Sequence, residues 1–280
     1  MKSSLYSRNG KILPISDAFV SIDKIERMYG FGVYESLKVR NNILYFVEQH
    51  VDRLMHSAQC INLTHDFTPV VITSWIKEFG EKIAEPSTNI KMLLLGGETS
   101  KEAELLLFPL APFFPKKEWY RDGVATFSFE YERWMPQSKS LNMLASYYYY
   151  NKSKKQGGYD ALYVDHSGNI REGTRTNFYA MKGKKIISPP KQNVLEGVTM
   201  MTIEKVIETS DFSIEYRPIA QKSLLDYDSV FLSSTSSKIL PIASIDSMKF
   251  SVSADLKHLI QIYNTALNAS NGSFKNLIAQ

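Results

Sequence analysis

Lys139 and Glu172 are the residues of this sequence whose types and neighbours most directly indicate chemistry. Lys139 lies in the stretch Ser138-Lys139-Ser140-Leu141-Asn142, and Glu172 follows Arg171 further downstream. A lysine amine can form a Schiff base with a carbonyl cofactor, and a buried carboxylate can hold a pyridine nitrogen protonated so that the ring accepts electrons. Either residue alone is more often a solvated surface charge. Together they predict amine chemistry on a heteroaromatic cofactor.

A dianionic phosphate on such a cofactor would need backbone amides, hydroxyls and a fixed cation, and the sequence offers three candidates. Val198 and Thr199 open a predicted helix, where unpaired N–H groups and the helix dipole favour an anion. The polar run from Ser233 to Ser237 follows a buried strand, although such a run is more often simply a turn. Arg53 could offer a planar fork to phosphate oxygens, although a helical arginine is more often solvated.

Composition limits the other classes of function. The 280 residues are 44% hydrophobic, which is enough for one large core or two moderate ones. The formal charge of +4 arises from 33 basic and 29 acidic residues spread along the chain, so we expect neither nucleic acid nor a membrane surface as a partner. The single cysteine, Cys60, argues against a disulfide and a cysteine-based metal site. Without a signal peptide or an apolar span, we expect a cytoplasmic protein with no metal.

Hydrophobic periodicity predicts an α+β arrangement in the first part of the chain. Asn9-Gly10 and Asn41-Asn42 indicate hairpin turns, the second joining Val33–Arg40 to Ile43–Val47. Apolar residues at helical spacing then predict a helix that carries His50 and Arg53. The remaining predicted elements of this part are a helix over about 70–83 and strands over 91–95 and 104–108.

The second part begins after a proline-rich stretch that ends at Lys117, where we place a boundary between domains 1–117 and 118–280. Short strands, a tyrosine-rich helix and a second amphipathic helix are predicted there, with a final helix from Ser253. Glu172 falls at the edge of a predicted strand, and Ser229–Leu232 is predicted to be a short buried strand.

Several motifs in this order resemble the class IV aminotransferase family of fold-type IV pyridoxal phosphate enzymes. The matching stretches are Tyr29-Gly30-Phe31-Gly32-Val33-Tyr34-Glu35, His50-Val51-Asp52-Arg53-Leu54, Lys139-Ser140-Leu141-Asn142, Glu172-Gly173 with Asn177-Phe178, Leu195-Glu196-Gly197-Val198-Thr199, and Ser234-Thr235 with Pro241. The family includes branched-chain aminotransferases, D-amino acid aminotransferases and aminodeoxychorismate lyases. The resemblance implies a two-domain α+β or α/β protein with a smaller N-terminal α+β lobe and a larger C-terminal, mixed β-barrel-like lobe with helices.

The resemblance also implies roles for individual residues and a cofactor, pyridoxal 5′-phosphate. Lys139 would be the Schiff-base lysine and Glu172 the partner of the pyridine nitrogen. The other cofactor-binding residues implied are Arg53, Asn177, Val198, Thr199, Ser234 and Thr235. A homodimer is implied as well, with Tyr29 to Lys38 contributing to the active site of the partner subunit.

The substrate is less narrowly indicated. Tyr34, Lys38, Arg175, Ser236 and Arg27 are the candidate substrate-binding residues, and Arg175 could reach a carboxylate, whereas Arg27 is more often an exposed strand-end arginine. Gly96-Gly97-Glu98 lacks the arginine and histidine that the D-specific enzymes commonly place there. The sequence therefore favours transfer between a branched-chain or similar apolar L-amino acid and a 2-oxo acid. A D-amino acid aminotransferase, a 4-amino-4-deoxychorismate lyase and a catalytically silent dimeric scaffold are the alternatives.

Overall fold

The computed structural model describes residues 4–83 and 85–277. Contacts between Cα atoms divide the chain into two compact units. The first comprises the chain up to Pro112 together with Ser138–Asn142 and Asn271–Phe274, and the second comprises Phe113–Gln137, Met143–Ser270 and the chain from Lys275 onwards. The division of the sequence into 1–117 and 118–280 stays a prediction, because grouping by contacts does not test independent folding.

The first unit combines one antiparallel sheet with helices. Its strands are β1 (Leu5–Arg8), β2 (Lys11–Pro14), β3 (Gly32–Arg40), β4 (Ile43–Leu44), β5 (Ser87–Leu95) and β6 (Glu104–Leu110), and its helices are α1 (Ile25–Met28), α2 (Val47–Cys60) and α3 (Pro69–Ile83). The strand order is β2-β1-β6-β5-β3-β4. Asn9 and Gly10 both have positive φ, as the tight hairpin turn between β1 and β2 requires.

Alternation along β3 assigns its side chains to two faces. Val33, Leu37 and Val39 belong to the core of this unit, into which α2 and α3 insert Leu54 and Phe79. The intervening positions, from Tyr34 to Arg40, lie on the other face, because successive side chains of a strand point in opposite directions. This second face of the sheet carries much of the candidate chemistry.

The predicted strand from Ile43 to Val47 is wrong beyond Leu44. Phe46 has a left-handed backbone with φ of 59°, and Val47 is already the first residue of α2. The Tyr45 amide still donates to the Lys38 carbonyl at 3.0 Å, whereas the Phe46 amide donates to the Gly272 carbonyl at 2.8 Å. The helix that carries His50 and Arg53 is confirmed.

Over its described residues, the second unit combines a mixed sheet with four α-helices. Its strands are β7 (Val124–Glu130), β8 (Asp160–Val164), β9 (Asn169–Gly173), β10 (Asn177–Lys182), β11 (Lys185–Ser188), β12 (Ser213–Tyr216), β13 (Ile219–Ala220), β14 (Ser229–Ser234), β15 (Lys238–Ile245) and β16 (Met248–Lys249). Its helices are α4 (Lys117–Asp122), α5 (Leu144–Lys155), α6 (Val198–Ile207) and α7 (Ala254–Ala269). The sequence did not indicate α4, because the flanking prolines and lysines are typical of a linker.

Six strands of this sheet form a closed ring. The order β10-β14-β15-β7-β8-β9 is continuous, and β9 pairs in turn with β10 at Glu172 and Asn177. β15–β7 and β7–β8 are parallel, whereas the other pairs of the ring are antiparallel. The expected barrel-like sheet is therefore present, and its closure falls at one of the residues singled out for chemistry.

Over the described residues, no helix is both long enough and apolar enough to cross a bilayer.

Candidate active site

In the first unit, the segment from Ser138 to Asn142 is held beside β3. Tyr34 N–H donates to the Lys139 carbonyl and Leu141 N–H donates to the Gly32 carbonyl, each at 2.9 Å, so the segment acts as a short additional strand. Ser57 of α2 also fixes it, because its hydroxyl accepts from the Lys139 amide at 3.1 Å. The backbone of Lys139 is thus fixed by both a strand and a helix.

The Tyr34 ring lies between two ammonium groups. Lys139 Nζ is 4.6 Å from the ring centroid, and Lys91 Nζ is 3.5 Å from it. Burial lowers the pKa of Lys91 to about 8, and the neighbouring charge of Lys139 acts in the same direction. Lys38, another predicted substrate-binding residue, is buried further along this face of β3. Tyr34 and Lys139, predicted separately from the sequence, are therefore neighbours.

Glu35, His50 and Arg53 form a buried polar cluster. Arg53 donates from Nε and Nη2 to the two oxygens of Glu35 at 2.5 and 2.8 Å, and His50 Nδ1 lies 2.8 Å from Glu35 Oε2. Burial alone would raise the pKa of Glu35, but the charges and hydrogen bonds of Arg53 and His50 hold that pKa well below its ordinary value. Burial lowers the pKa of His50. The cluster orients the Arg53 guanidinium, and its predicted role as a phosphate ligand stays a prediction.

In the second unit, Glu172 is buried where the barrel closes. Its Oε2 accepts from the Leu195 amide at 3.1 Å, and its Oε1 lies 3.4 Å from Arg133 Nη1. The Arg133 cation and the Leu195 amide hold this carboxylate in a fixed position, as a partner for a protonated pyridine nitrogen would require.

Asn177 connects Glu172 to the start of α6. Its Nδ2 donates to the Leu195 carbonyl at 2.7 Å, while the Leu195 amide is bound by Glu172. Gly197, the residue before α6, provides no side-chain cap, and a Cβ there would clash with Asn177 Oδ1. The predicted phosphate-binding residues Val198 and Thr199 thus begin a helix whose entry is fixed by Asn177.

The polar run near Ser234 forms the turn between β14 and β15. Ser234 Oγ accepts from the Ser237 amide at 3.1 Å and lies 2.7 Å from Ser237 Oγ. Thr235 and Ser236 occupy the tip of this turn and are half-buried. Their predicted roles in binding phosphate and substrate are untested by this geometry.

Two arginines have environments that the sequence did not indicate. Arg27 belongs to α1 rather than to a strand end, and its side chain is buried against Glu104, 3.3 Å from Oε1. The Arg175 guanidinium lies 4.2 Å from the Tyr150 ring and donates to the Tyr159 carbonyl at 3.1 Å. The expectation of an exposed, strand-end Arg27 is wrong, and both substrate-binding roles stay predictions.

Sequence reasoning did not select Lys91, Arg133 or Asp160. Asp160 is fully buried and accepts from Thr176 Oγ1 at 2.8 Å, so it holds the turn that follows Glu172. Only strand register could have drawn attention to Lys91, because it lies opposite Ser36, two residues along the strand from Tyr34. The motifs, by contrast, selected residues through their neighbours in sequence.

The residues present fit pyridoxal phosphate. The first unit supplies an amine beside an aromatic ring and an oriented guanidinium, and the second supplies a buried carboxylate and a helix N-terminus without a side-chain cap. These are the types of group that pyridoxal phosphate would need: an amine for its carbonyl carbon, a cation and amides for its phosphate, and an anion for its ring nitrogen. The role of each residue stays a prediction.

Comparison with known proteins defines first the fold and then the family. The branched-chain amino acid aminotransferase of Thermobaculum terrenum, solved in its PLP-bound holo-form, has a TM-score of 0.85 at 20% identity, over 99% of this chain and 97% of that one. The expected fold-type IV architecture is therefore confirmed. The model of the amino-transferase class IV family matches residues 32–245. The chain belongs to this family and is a pyridoxal-phosphate-dependent aminotransferase, as the motifs indicated.

The similar sequences carry two different activities. The D-alanine aminotransferase of Bacillus licheniformis is 26% identical over 250 residues, which cover 85% of this chain and 87% of that protein. The probable branched-chain-amino-acid aminotransferase of Aquifex aeolicus (strain VF5) is 23% identical over 305 residues, which cover 95% and 93%. The family is therefore shown, while the substrate is a separate question.

Proposed function

We propose that this enzyme transfers the amino group of an apolar L-amino acid of the branched-chain type to a 2-oxo acid. The observation that carries the proposal is the attachment of the Lys139 segment to β3, which places the lysine amine on the ring of Tyr34. The residue directly opposite Tyr34 on β5 is Leu93, and Leu106 lies opposite Leu93. These two leucines offer apolar surface next to Tyr34 for an apolar substrate side chain.

Each proposed residue has one task. The Lys139 amine takes a proton from the α-carbon of the amino donor, as a general base, and in the second half of the reaction gives a proton to the α-carbon formed from the 2-oxo acid, as a general acid. Glu172 would accept a hydrogen bond from the protonated ring nitrogen, and Arg133 and the Leu195 amide hold its carboxylate in place. Ser234, Thr235 and the first amides of α6 would bind the phosphate, and Asn177 fixes the entry to that helix. Arg53 is proposed as a further phosphate ligand, oriented by Glu35. Pyridoxal phosphate, when bound, supplies the electron sink for the negative charge left on the α-carbon.

A D-amino acid donor is the second candidate, because D-alanine aminotransferases are among the similar sequences. Against it, the chain after β5 reads Gly96-Gly97-Glu98, a loop without an arginine to bind a carboxylate. The Glu98 amide already donates a hydrogen bond to Glu102 Oε2 at 2.9 Å, so it is not available to bind a substrate carboxylate. Arg175 is the proposed alternative for the substrate carboxylate.

We also propose a cytoplasmic homodimer. Between Phe19 and Tyr29 the first unit exposes a series of apolar side chains, among them Ile22 at 82% and Met28 at 64%. Large exposed apolar patches are typical of protein interfaces. An Ile22→Asp variant should shift the mass in light scattering from dimer to monomer, whereas Val70→Asp, at an equally exposed apolar position of α3, should not. We propose a cytoplasmic location because a chain with a single cysteine forms no internal disulfide, as is usual in a reducing compartment.

The absorption spectrum of the purified protein with pyridoxal phosphate tests the proposed reaction. We expect a visible band of the bound cofactor that is lost in Lys139→Ala and retained in Lys257→Ala, a change at an exposed position of α7. L-leucine should bleach the band with release of its 2-oxo acid. Bleaching by D-alanine alone would assign a D-amino acid aminotransferase, and pyruvate release from aminodeoxychorismate would assign a lyase. A wild-type protein without any band would be a silent scaffold.

A further inference from the structure

Lys91 has no role in the proposed reaction, yet it shares the Tyr34 ring with Lys139. It lies on β5 opposite Ser36, and so on the same face of the sheet as Tyr34. Its Nζ is 3.5 Å from the ring centroid, and that of Lys139 is 4.6 Å from the same point. The ring therefore contacts two cations.

No carboxylate is within ion-pair distance of Lys91 among the residues that the structure describes, 4–83 and 85–277. The one carboxylate that acts on it through space is Glu35, which already accepts from Arg53 and His50. Burial therefore lowers the pKa of Lys91 to about 8, and the charge of Lys139 adds to the effect, while Tyr34 and Glu35 oppose it. A largely buried and unneutralised cation is costly, and such groups are concentrated at functional sites.

The repulsion between the two lysines acts equally on both. The two ring distances together are shorter than the Debye length, about 10 Å at 0.1 M salt, so solvent ions screen the repulsion between the two lysines only in part. Among the described residues of the first unit, the charged and titratable groups near the Lys139 segment include Tyr34 and Glu35 of β3, Lys91 of β5, and His50 and Arg53 of α2. Of these, Lys91 is the cation that contacts the same ring as Lys139.

We propose that Lys91 is a positioning residue for transamination, a half-buried cation beside the Tyr34 ring that disfavours protonation of the Lys139 amine. The inference rests on the proposed function, because an amine acts as a nucleophile or base only when it is unprotonated. The proton that Lys139 gives up passes to solvent, and no bond to Lys91 is formed. A neighbouring cation is an established means of activating a lysine.

Two variants separate the charge of Lys91 from its bulk. Lys91→Arg carries a permanent charge, and Lys91→Met keeps a similar length without charge. At this separation we expect the pKa of Lys139 to be about one unit lower in Lys91→Arg than in Lys91→Met. The pKa of Lys139 in the wild type should be no higher than in Lys91→Met. Near neutral pH, this corresponds to about tenfold faster acylation of Lys139 in the arginine variant.

Competitive labelling of the full-length chain, freed of cofactor, measures this difference. Acetic anhydride is applied across a pH series, and mass spectrometry of the peptides gives the titration of Lys139 with the exposed Lys222 as the reference. The same pair of substitutions at Lys257 should leave the pKa of Lys139 unchanged. Circular dichroism confirms folding, and Lys91→Gln replaces Lys91→Met if the methionine variant does not fold.

Equal titration midpoints for Lys139 in the arginine and methionine variants would overturn the inference. Because the labelling needs no cofactor, its outcome is independent of whether the wild type binds pyridoxal phosphate. A failure of the proposed function would instead appear as a wild-type protein without a visible absorption band.

Discussion

Glu35 and Arg53 form a two-bonded ion pair inside the first unit, with Nε and Nη2 of Arg53 at 2.5 and 2.8 Å from the carboxylate oxygens. The residues are 18 positions apart in sequence and lie on β3 and α2. The pair orients a cation that the proposed function assigns to the phosphate.

Removing the charge of Glu35 should therefore weaken both folding and cofactor binding. In Glu35→Gln we expect a loss of about 3 kcal/mol in the free energy of unfolding, because the buried guanidinium loses its counter-charge. Urea unfolding gives the stability, and titration with pyridoxal phosphate gives the affinity. Glu48→Gln, at an exposed position of α2, is the control, and equal stabilities of the two variants would contradict the expectation.

Lys91 should make stability rise with pH in the alkaline range. The pKa of Lys91 is lowered from 10.5 to about 8 in the folded chain, so between these values the unfolded chain binds more protons and stability increases as the pH rises. Compared with Lys91→Met, the wild type should gain up to about 3 kcal/mol from pH 8 to 10.5. Chemical unfolding of both proteins across this pH range measures the difference. If the free energies of unfolding of the two proteins changed with pH in parallel, the pKa of Lys91 would be ordinary and the expectation would be wrong.

Asp160 should control the rigidity of the turn after Glu172. Its carboxylate accepts from Thr174 Oγ1, Thr176 Oγ1 and its neighbour's amide, at 2.5, 2.8 and 2.9 Å. In Asp160→Asn the amide nitrogen cannot accept, so we expect a loss of about 1 to 3 kcal/mol and faster amide exchange in the turn. Hydrogen–deuterium exchange provides the measurement, and the exposed Asp226→Asn the control. Unchanged exchange near Thr174 would disprove the role.

Gly197 should be intolerant of a side chain. A Cβ would clash with Asn177 Oδ1, so Gly197→Ala must displace Asn177 from the Leu195 carbonyl. We expect the affinity for pyridoxal phosphate to fall about tenfold, the equivalent of one lost hydrogen bond at the helix entry. Spectroscopic titration tests this. Gly80→Ala in α3 is the control, because its Cβ would meet only the flexible end of Leu44 at 3.3 Å. A similar loss of affinity in Gly80→Ala would contradict the role of Gly197.

Sequence by itself determined the family, the cofactor and most elements of this protein, because these depend on local patterns. Hydrophobic alternation predicted β3 and β5, helical spacing predicted α2, and the Asn9-Gly10 turn predicted the first hairpin. The motif around Lys139 selected the lysine through its immediate neighbours.

Only the tertiary structure decided what surrounds these residues, because register and barrel closure bring together positions that are distant in sequence. The placement of Lys91 on the Tyr34 ring depends on the pairing of β5 with β3, and the contact of Glu172 with Leu195 depends on the closure of β9 on β10. The hydrogen bond from the Phe46 amide to Gly272 likewise joins residues from distant parts of the chain. Such contacts leave no periodic trace in the sequence, because each depends on a distant partner rather than on neighbouring residues.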